Sequence, residues 1–201
     1  MASSYLAHLT GPEVVRAQQT YYGRGFPAAG GPHSRDPLGP DEVGFIARRD
    51  SFYLASLTET GWPYVQHRGG PAGFLHVLSP DRLAFADVLG NRQMLTTGNV
   101  AADPRVSLFL MDYPRRERLK ILGRARVFDA REEPALAQRV SPGAEKARVE
   151  RVVVIDVVSF DWNCPKYITP RFSVEEVEAL VAPLRTRIRE LETALAAARS
   201  T

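Results

Sequence analysis

The fold class predicted by this sequence is mainly β (α+β): an antiparallel β-barrel of six to seven strands with flanking helices and a C-terminal helix. Three observations carry it. Short apolar stretches between Ser51 and Trp162 are joined by tight polar turns, the spacing of hairpins rather than of α/β crossovers. Several stretches alternate apolar and polar residues with a period of two, as half-buried strands do. Before and after them, apolar residues recur at steps of three and four, the helical period.

The elements follow in order. "GPEVVRAQQTYY" reads as a helix opened by Pro12, and "GRGFPAAGGPHSRDPLGP" as irregular chain dense in glycine and proline. "PDEVGFIARR" is a helix opened by Pro40 or Asp41, with Val43, Ile46 and Ala47 at helical spacing. "SFYLASLT" and "YVQHRG" are strands around an "ETGWP" turn, and "GFLHVLS" and "LAFADV" are strands around "PDR". A short helix precedes "RVSLFLM", whose apolar run predicts a central, buried strand. In "ERLKILGRARVF", Leu119, Ile121, Ala125 and Val127 share one face, and Lys120, Arg124 and Arg126 the other. "REEPALAQRV" is a short helix and "VERVVVIDVVSFDW" a β-branched strand.

The last segment changes period. Ser173 and Glu176 form a capping box. Val174, Val177, Val181, Leu184, Ile188, Leu191 and Leu195 then trace an a/d seam, with Pro183 set to kink the helix or divide it. The seam fits packing on the chain's own barrel or on a partner chain. Three regions result: a helix and irregular arm over 1–40, a barrel over 41–172 and a helical segment over 173–201.

Composition narrows the function. The 201 residues are 44% hydrophobic and 24% charged, enough for a sizeable core. No apolar run is long enough to cross a bilayer and no signal pattern opens the chain, so the expected location is the cytoplasm, without a membrane partner. The net charge of +3 is mild and gives no reason to expect nucleic acid. Only Arg115, Arg116, Arg118 and Lys120 form a basic cluster. The single cysteine, Cys164, excludes an internal disulfide and a thiolate metal site. His8, His33, His67 and His76 show no i, i+4 spacing, so no metal is expected.

What remains is anion and ring binding at three patches. In "GNRQ", Gly90 allows a tight turn, Asn91 is placed to cap the following helix and Arg92 offers a fork to phosphate oxygens. The alternative is an ordinary capped helix with a solvated arginine. In "YVQHRGG", a strand carrying Gln66, His67 and Arg68 breaks at Gly69 and Gly70, where backbone can approach a flat ligand or simply form an exposed edge. In "FDWNCPKYITPRF", Trp162 and Tyr167 are able to shelter a ring while Lys166 and Arg171 meet its electronegative edge, or the loop is only tied down by aromatic packing.

These patches, in this order, resemble the pyridoxamine 5'-phosphate oxidase superfamily, the FMN-binding split β-barrel proteins, over roughly Val43 to Phe172. The most specific part is "FADVLGNRQ…ADPRVSLFLM…ERLKILGRARV", where Gly90, Arg92, Pro104, Arg105, Val106, Ser107, Leu108 and Gly123 fall on the family pattern. The resemblance implies that Arg92, with Asn91 and Gln93, holds the FMN phosphate. Gln93 stands where the oxidase has lysine, and Arg118, where the family uses a glutamine, would restore that charge. It implies that Gln66, His67, Arg68 and Gly69 line the isoalloxazine, and that Ala86 and Asp87, matching the pair that follows the next strand, belong to the cofactor site. Trp162 and Arg171 would complete the site from the other subunit of a homodimer with FMN at its interface. The oxidase's substrate-phosphate motif is not visible in "REEPALAQRVSPGAEKARV", and its Arg-x-His pair is replaced by "KYITPR". The chain is therefore more similar to members described as flavin-nucleotide-binding proteins, which share "NCPKYI"-like tails, with Lys166 and Tyr167 over the flavin.

The expected function is an FMN-dependent oxidoreductase acting on a small-molecule substrate or electron donor that the sequence does not identify. Two alternatives stand beside it: a deazaflavin (F420)-dependent reductase on the same fold, and a non-catalytic flavin- or haem-binding protein in which His67 or His76 is an axial ligand.

Overall fold

The computed structural model describes residues 4–26, 35–88, 90, 92–141, 149–162 and 166–199. It divides into two compact units, Met1–Asp112 with Glu117–Cys164, and Tyr113–Arg116 with Pro165–Thr201.

The first unit is built on one seven-stranded antiparallel sheet. The strands are β1 (Ser51–Leu57), β2 (Pro63–Gly69), β3 (His76–Ser79), β4 (Arg82–Val88), β5 (Arg105–Asp112), β6 (Glu117–Asp129) and β7 (Val149–Trp162). Their order is β2-β1-β5-β6-β7-β4-β3, the unclosed sheet of a split barrel. Every ladder is antiparallel, as the hairpin spacing predicts. The sheet curls, because side chains of strands that share no ladder meet inside it. The ring of Phe52 on β1 lies edge-on to Phe85 on β4 at 5.3 Å and stacks on Phe74 at 5.5 Å. Leu54, Leu83, Leu108, Leu110, Leu119, Ile121 and Ile155 fill the same interior and are essentially inaccessible. Burying each such side chain contributes about 1.5–3 kcal/mol.

β5 is interior to the sheet, as its apolar run predicts, but its side chains alternate between buried and half-buried. Paired strands on both sides, rather than two covered faces, explain its composition. β6 and β7 form the longest ladder, with a register shift at Leu122/Gly123. A side chain at Gly123 would collide with Ile155 Cγ2 and crowd the Asp156 carbonyl at 3.1 Å, so only glycine lets the two strands approach there.

Helices close the barrel's flanks. α1 (Tyr5–Leu9) and α2 (Pro12–Tyr22) precede the sheet. α3 (Pro40–Ala47) seats Phe45 and Ile46 in the core. α4 (Leu95–Ala102) is fixed by Val100 and by Asn99 Nδ2, which donates to Ser56 Oγ at 2.9 Å. α5 (Pro134–Arg139) covers a second apolar cluster made by Ala84, Val152 and Val154 on the outward face of β4 and β7. Asp36 ties the N-terminal chain to β7: one carboxylate oxygen accepts from Ser4 N at 2.8 Å, Ser4 Oγ at 3.0 Å and Ser159 Oγ at 2.5 Å.

The second unit contains α6 (Val174–Arg199). Its start is the expected capping box: Ser173 N donates to Glu176 Oε2 at 2.8 Å, and Glu176 N donates to Ser173 Oγ at 3.2 Å. The helix runs through Pro183 undivided. Of the two expectations for that residue, a break is therefore excluded.

Candidate functional site

β2 alternates strictly. Tyr64, Gln66 and Arg68 are half-buried on one face, and Val65, His67 and Gly69 are exposed on the other. The inward set opens on a cleft of about 190 Å³ together with Asp87 of β4, Gly90, Arg92, Gln93, the first turn of α4, and Glu150 and Arg151 of β7. Six of the residues singled out from the sequence thus meet: Gln66, Arg68, Asp87, Gly90, Arg92 and Gln93.

An ion-pair bridge spans this cleft. Arg68 Nη1 donates to Asp87 Oδ1 at 2.8 Å, and Arg151 Nε donates to Asp87 Oδ2 at 2.9 Å. Asp87 and Arg151 face each other directly in the β4–β7 ladder. Arg68 reaches Asp87 from β2, a strand with no ladder to β4. The bridge therefore joins the two sides of the split. The Arg68 guanidinium also lies over the Phe85 ring at 5.5 Å, and its Nε is buried without a partner among the described residues. Arg151 continues to Glu150 at 3.2 Å.

The turn into α4 is strained. Arg92 and Met94 both have positive φ, 60° and 58°, unusual for residues with side chains. Such conformations cost about 1–3 kcal/mol each and persist where the surroundings enforce them. Met94 occupies the N-cap position, and its side chain makes no capping hydrogen bond. Asn91, expected from the sequence to cap this helix, lies outside the described residues. An N-terminus without a side-chain cap presents backbone N–H groups and the positive end of the helix dipole. Thr96 Oγ1 donates to Gln66 Oε1 at 2.8 Å, which orients the Gln66 amide on the cleft wall. Among the described residues Arg92 is exposed and engages no carboxylate.

The other singled-out residues sit elsewhere. His67 packs edge-to-face against Tyr53 at 5.7 Å on the outward face of β2, where Gly69 also lies. Ala86 points into the cluster beneath α5. Trp162 donates from Nε1 to Glu42 Oε1 at 2.6 Å and meets Phe45 edge-on at 4.9 Å. It ends the strand that Arg151 nearly begins, roughly 35 Å away at 3.3 Å per residue. Arg118, over the Phe109 ring at 5.4 Å, pairs with Met111 at that same far end of β6. Within one chain neither Arg118 nor Trp162 reaches the cleft, so the cation there besides Arg68 and Arg92 is Arg151, not Arg118. Lys166, Tyr167 and Arg171 belong to the second unit, where Tyr167 is fully exposed with φ 65° and Arg171 lies over the Tyr113 ring at 5.0 Å. Cys164 lies outside the described residues.

Sequence reasoning missed Tyr64, Thr96, Thr97, Glu150 and Arg151. The two threonines carried a legible signal, paired hydroxyls in the first turn of a helix that follows a glycine turn. Arg151 carried a weaker one, a charge at the head of an apolar β-branched strand.

Comparison with known proteins places this fold. The sequence profile of the pyridoxamine 5'-phosphate oxidase family matches residues 40–159, more than half of the chain. No curated protein matches. Among solved structures, a putative pyridoxamine 5'-phosphate oxidase from Lactobacillus delbrueckii is 21% identical, with 62% of this chain and 93% of that one covered at a TM-score of 0.48. An FMN-binding protein from Syntrophomonas wolfei is 9% identical, with 61% and 83% covered at 0.48. HupZ from Group A Streptococcus is 13% identical, with 67% and 99% covered at 0.48. On the profile match and the split-barrel sheet together, the chain belongs to the pyridoxamine 5'-phosphate oxidase family.

Proposed function

We propose that this protein binds FMN, with the flavin phosphate at the start of α4, and acts as an oxidoreductase on a small substrate. The observation that carries this reading is the turn at Arg92–Met94. Two left-handed residues, a guanidinium without a carboxylate partner among the described residues and a helix N-terminus whose N-cap side chain makes no capping bond converge there on one cleft. A phosphate dianion suits those donors, and the buried, unpartnered Nε of Arg68 marks further donor capacity beside them.

The rest of the flavin needs more room than this cleft holds. About 190 Å³ lies below the roughly 300–1,000 Å³ of ordinary cofactor pockets. A second copy of the chain would supply the remainder. The outward face of β1 and β2 exposes Tyr53 and Leu57 on β1 diagonally flanking Val65 on β2, with Trp62 at their turn, an apolar patch suited to such contact. In that homodimer Trp162 and Arg171 would come from the partner, as the family resemblance implies, Lys166 and Tyr167 would cover the ring, and Arg118, which does not reach the cleft of its own chain, would reach the phosphate only from the partner. FMN, when bound, supplies the electron-transfer chemistry. The chain's own residues hold the phosphate, orient the Gln66 amide and keep two arginines fixed on Asp87.

The test is FMN titration followed by flavin fluorescence or absorbance. Arg92→Ala should weaken binding by about 1.5–3 kcal/mol, roughly 10- to 150-fold, with the folded structure intact. Unchanged affinity in that variant removes the phosphate assignment. A wild-type protein that ignores FMN but binds the deazaflavin overturns the choice of cofactor while keeping the cleft; a Soret band on haem addition overturns the redox-flavin reading altogether.

A further inference from the structure

α6 is 26 residues long and buries none of them. Its seam residues Val174, Val177, Leu184, Ile188, Leu191 and Leu195 are 45–69% exposed. A lone helix with an uncovered apolar stripe is marginal in water and a liability for aggregation. Something must cover it, and the charges flanking the seam indicate what.

With Val174 at an a position, the a residues are Val174, Val181, Ile188 and Leu195, and the d residues are Val177, Leu184, Leu191 and Ala198. The e positions are then Glu178, Arg185, Glu192 and Arg199, alternating in sign at every heptad. No side chain of these four makes a hydrogen bond or ion pair among the described residues, whereas their backbones belong to the helix ladder. Arg187, at g, is already held by Glu190 of its own helix at 2.9 Å.

Two antiparallel copies of such a helix bring e positions to face e positions. In one register Glu178 meets Arg199 of the partner subunit and Arg185 meets Glu192 of the partner subunit, four opposite-charge pairs by symmetry. The same register seats Ile188 against Leu191 of the partner subunit and Leu184 against Leu195 of the partner subunit. Sliding by one heptad in either direction sets arginine against arginine and glutamate against glutamate. The alternation thus favours one register and disfavours its neighbours, as flanking charges do in coiled coils. A parallel pair would rest on Arg187 and Glu192 alone, and Arg187 is engaged. Only a self-pairing helix has reason to be complementary to its own reverse.

We propose that α6 pairs with α6 of a second copy as an antiparallel two-stranded coiled coil, in the register set by Glu178, Arg185, Glu192 and Arg199. The pairing needs no cofactor and is independent of the flavin reading.

Engineered cysteines test it in the full-length chain, in a Cys164→Ser background. Leu184→Cys alone and Leu195→Cys alone should give no disulfide-linked dimer, since each residue lies several turns from its own copy. The two variants co-expressed should give a linked heterodimer under mild oxidation. Linked dimers from either single variant mean a parallel pair, and no linkage in any combination means that something other than α6 covers the seam; both results overturn the proposal. In the co-expressed pair, Glu192→Arg on both chains should abolish the linkage and Arg185→Glu added to it should restore it. Restoration by Arg187→Glu instead also overturns the antiparallel assignment. Unchanged circular dichroism across the series shows that the variants fold.

Discussion

Phe85 in β4 is 1% exposed and Ile188 in α6 is 54% exposed, yet each sits in the apolar stripe of its element. The stripe of β4 has its partners in the same chain: Phe52 meets the ring of Phe85 across the curl of the sheet, and the β4–β7 ladder sets the register. The stripe of α6 has an equally regular period, yet none of its residues is buried among the described residues. Periodicity records that a surface is to be covered. It does not record by what.

Truncation separates the two regions most sharply. Phe85→Ala should cost about 3–5 kcal/mol, since it empties a site between Phe52 and the Arg68 guanidinium. That loss should be the same at every protein concentration. Ile188→Ala acts only through association, so its effect on the melting temperature should grow with concentration and fade on dilution. Thermal melts over a wide concentration range decide the matter. A concentration-independent loss at Ile188 as large as that at Phe85 would mean that α6 is covered from within its own chain.

The next effect lies at the split itself. Asp87 binds arginines from β2 and β7, and all three side chains are no more than 21% exposed. Asp87→Asn keeps the shape but takes the counter-charge from Arg68 and leaves Arg151 with Glu150 alone. Stability should fall by about 1–3 kcal/mol, measured by denaturant unfolding. Phosphate or FMN affinity should rise in the same variant, because two cations released from Asp87 face the cleft. A variant that loses stability without gaining anion affinity would place Arg68 and Arg151 outside the binding role.

These two regions also mark how far the sequence could be read. All seven strands, the helices from α2 to α5 and the capping box of Ser173 are legible, because each is specified within a few residues by period and turn chemistry, whereas the five-residue α1 is too short to show a period. The family motif located Arg92 and Gln93. The β2 alternation was legible in principle, and it separates Gln66 and Arg68 from His67, although all three were read as one patch. The Asp87–Arg151 pair was not legible, since it depends on the register of strands more than sixty residues apart. Nor was the N-cap: "GNRQM" offers asparagine, the better capping residue, but the chain enters α4 through Met94 in a left-handed conformation. Local preference there yields to the geometry of the corner, as it does at sites where strain is maintained for a purpose.

The smallest predicted effect concerns how the N-terminal chain joins the barrel, a third way of covering a surface, by hydrogen bonds instead of apolar contact. Burial pushes the Asp36 carboxyl up, but bonds from Ser159 and from the backbone and hydroxyl of Ser4 outweigh it and hold its pKa below the ordinary aspartate value. A lowered folded pKa means that protonation weakens the fold. The contribution is fully present above about pH 4, the unfolded value, and is lost as the pH falls through the folded pKa. Asp36 is half-buried, and partial solvent screening limits the effect to less than about 1 kcal/mol. Asp36→Asn should lower the melting temperature slightly at pH 7 and match wild type at pH 2–3, with amide exchange rising first over α1. An Asp36→Asn protein as stable as wild type at pH 7 would show that α1 is held by Tyr5, which is buried, and not by the carboxylate.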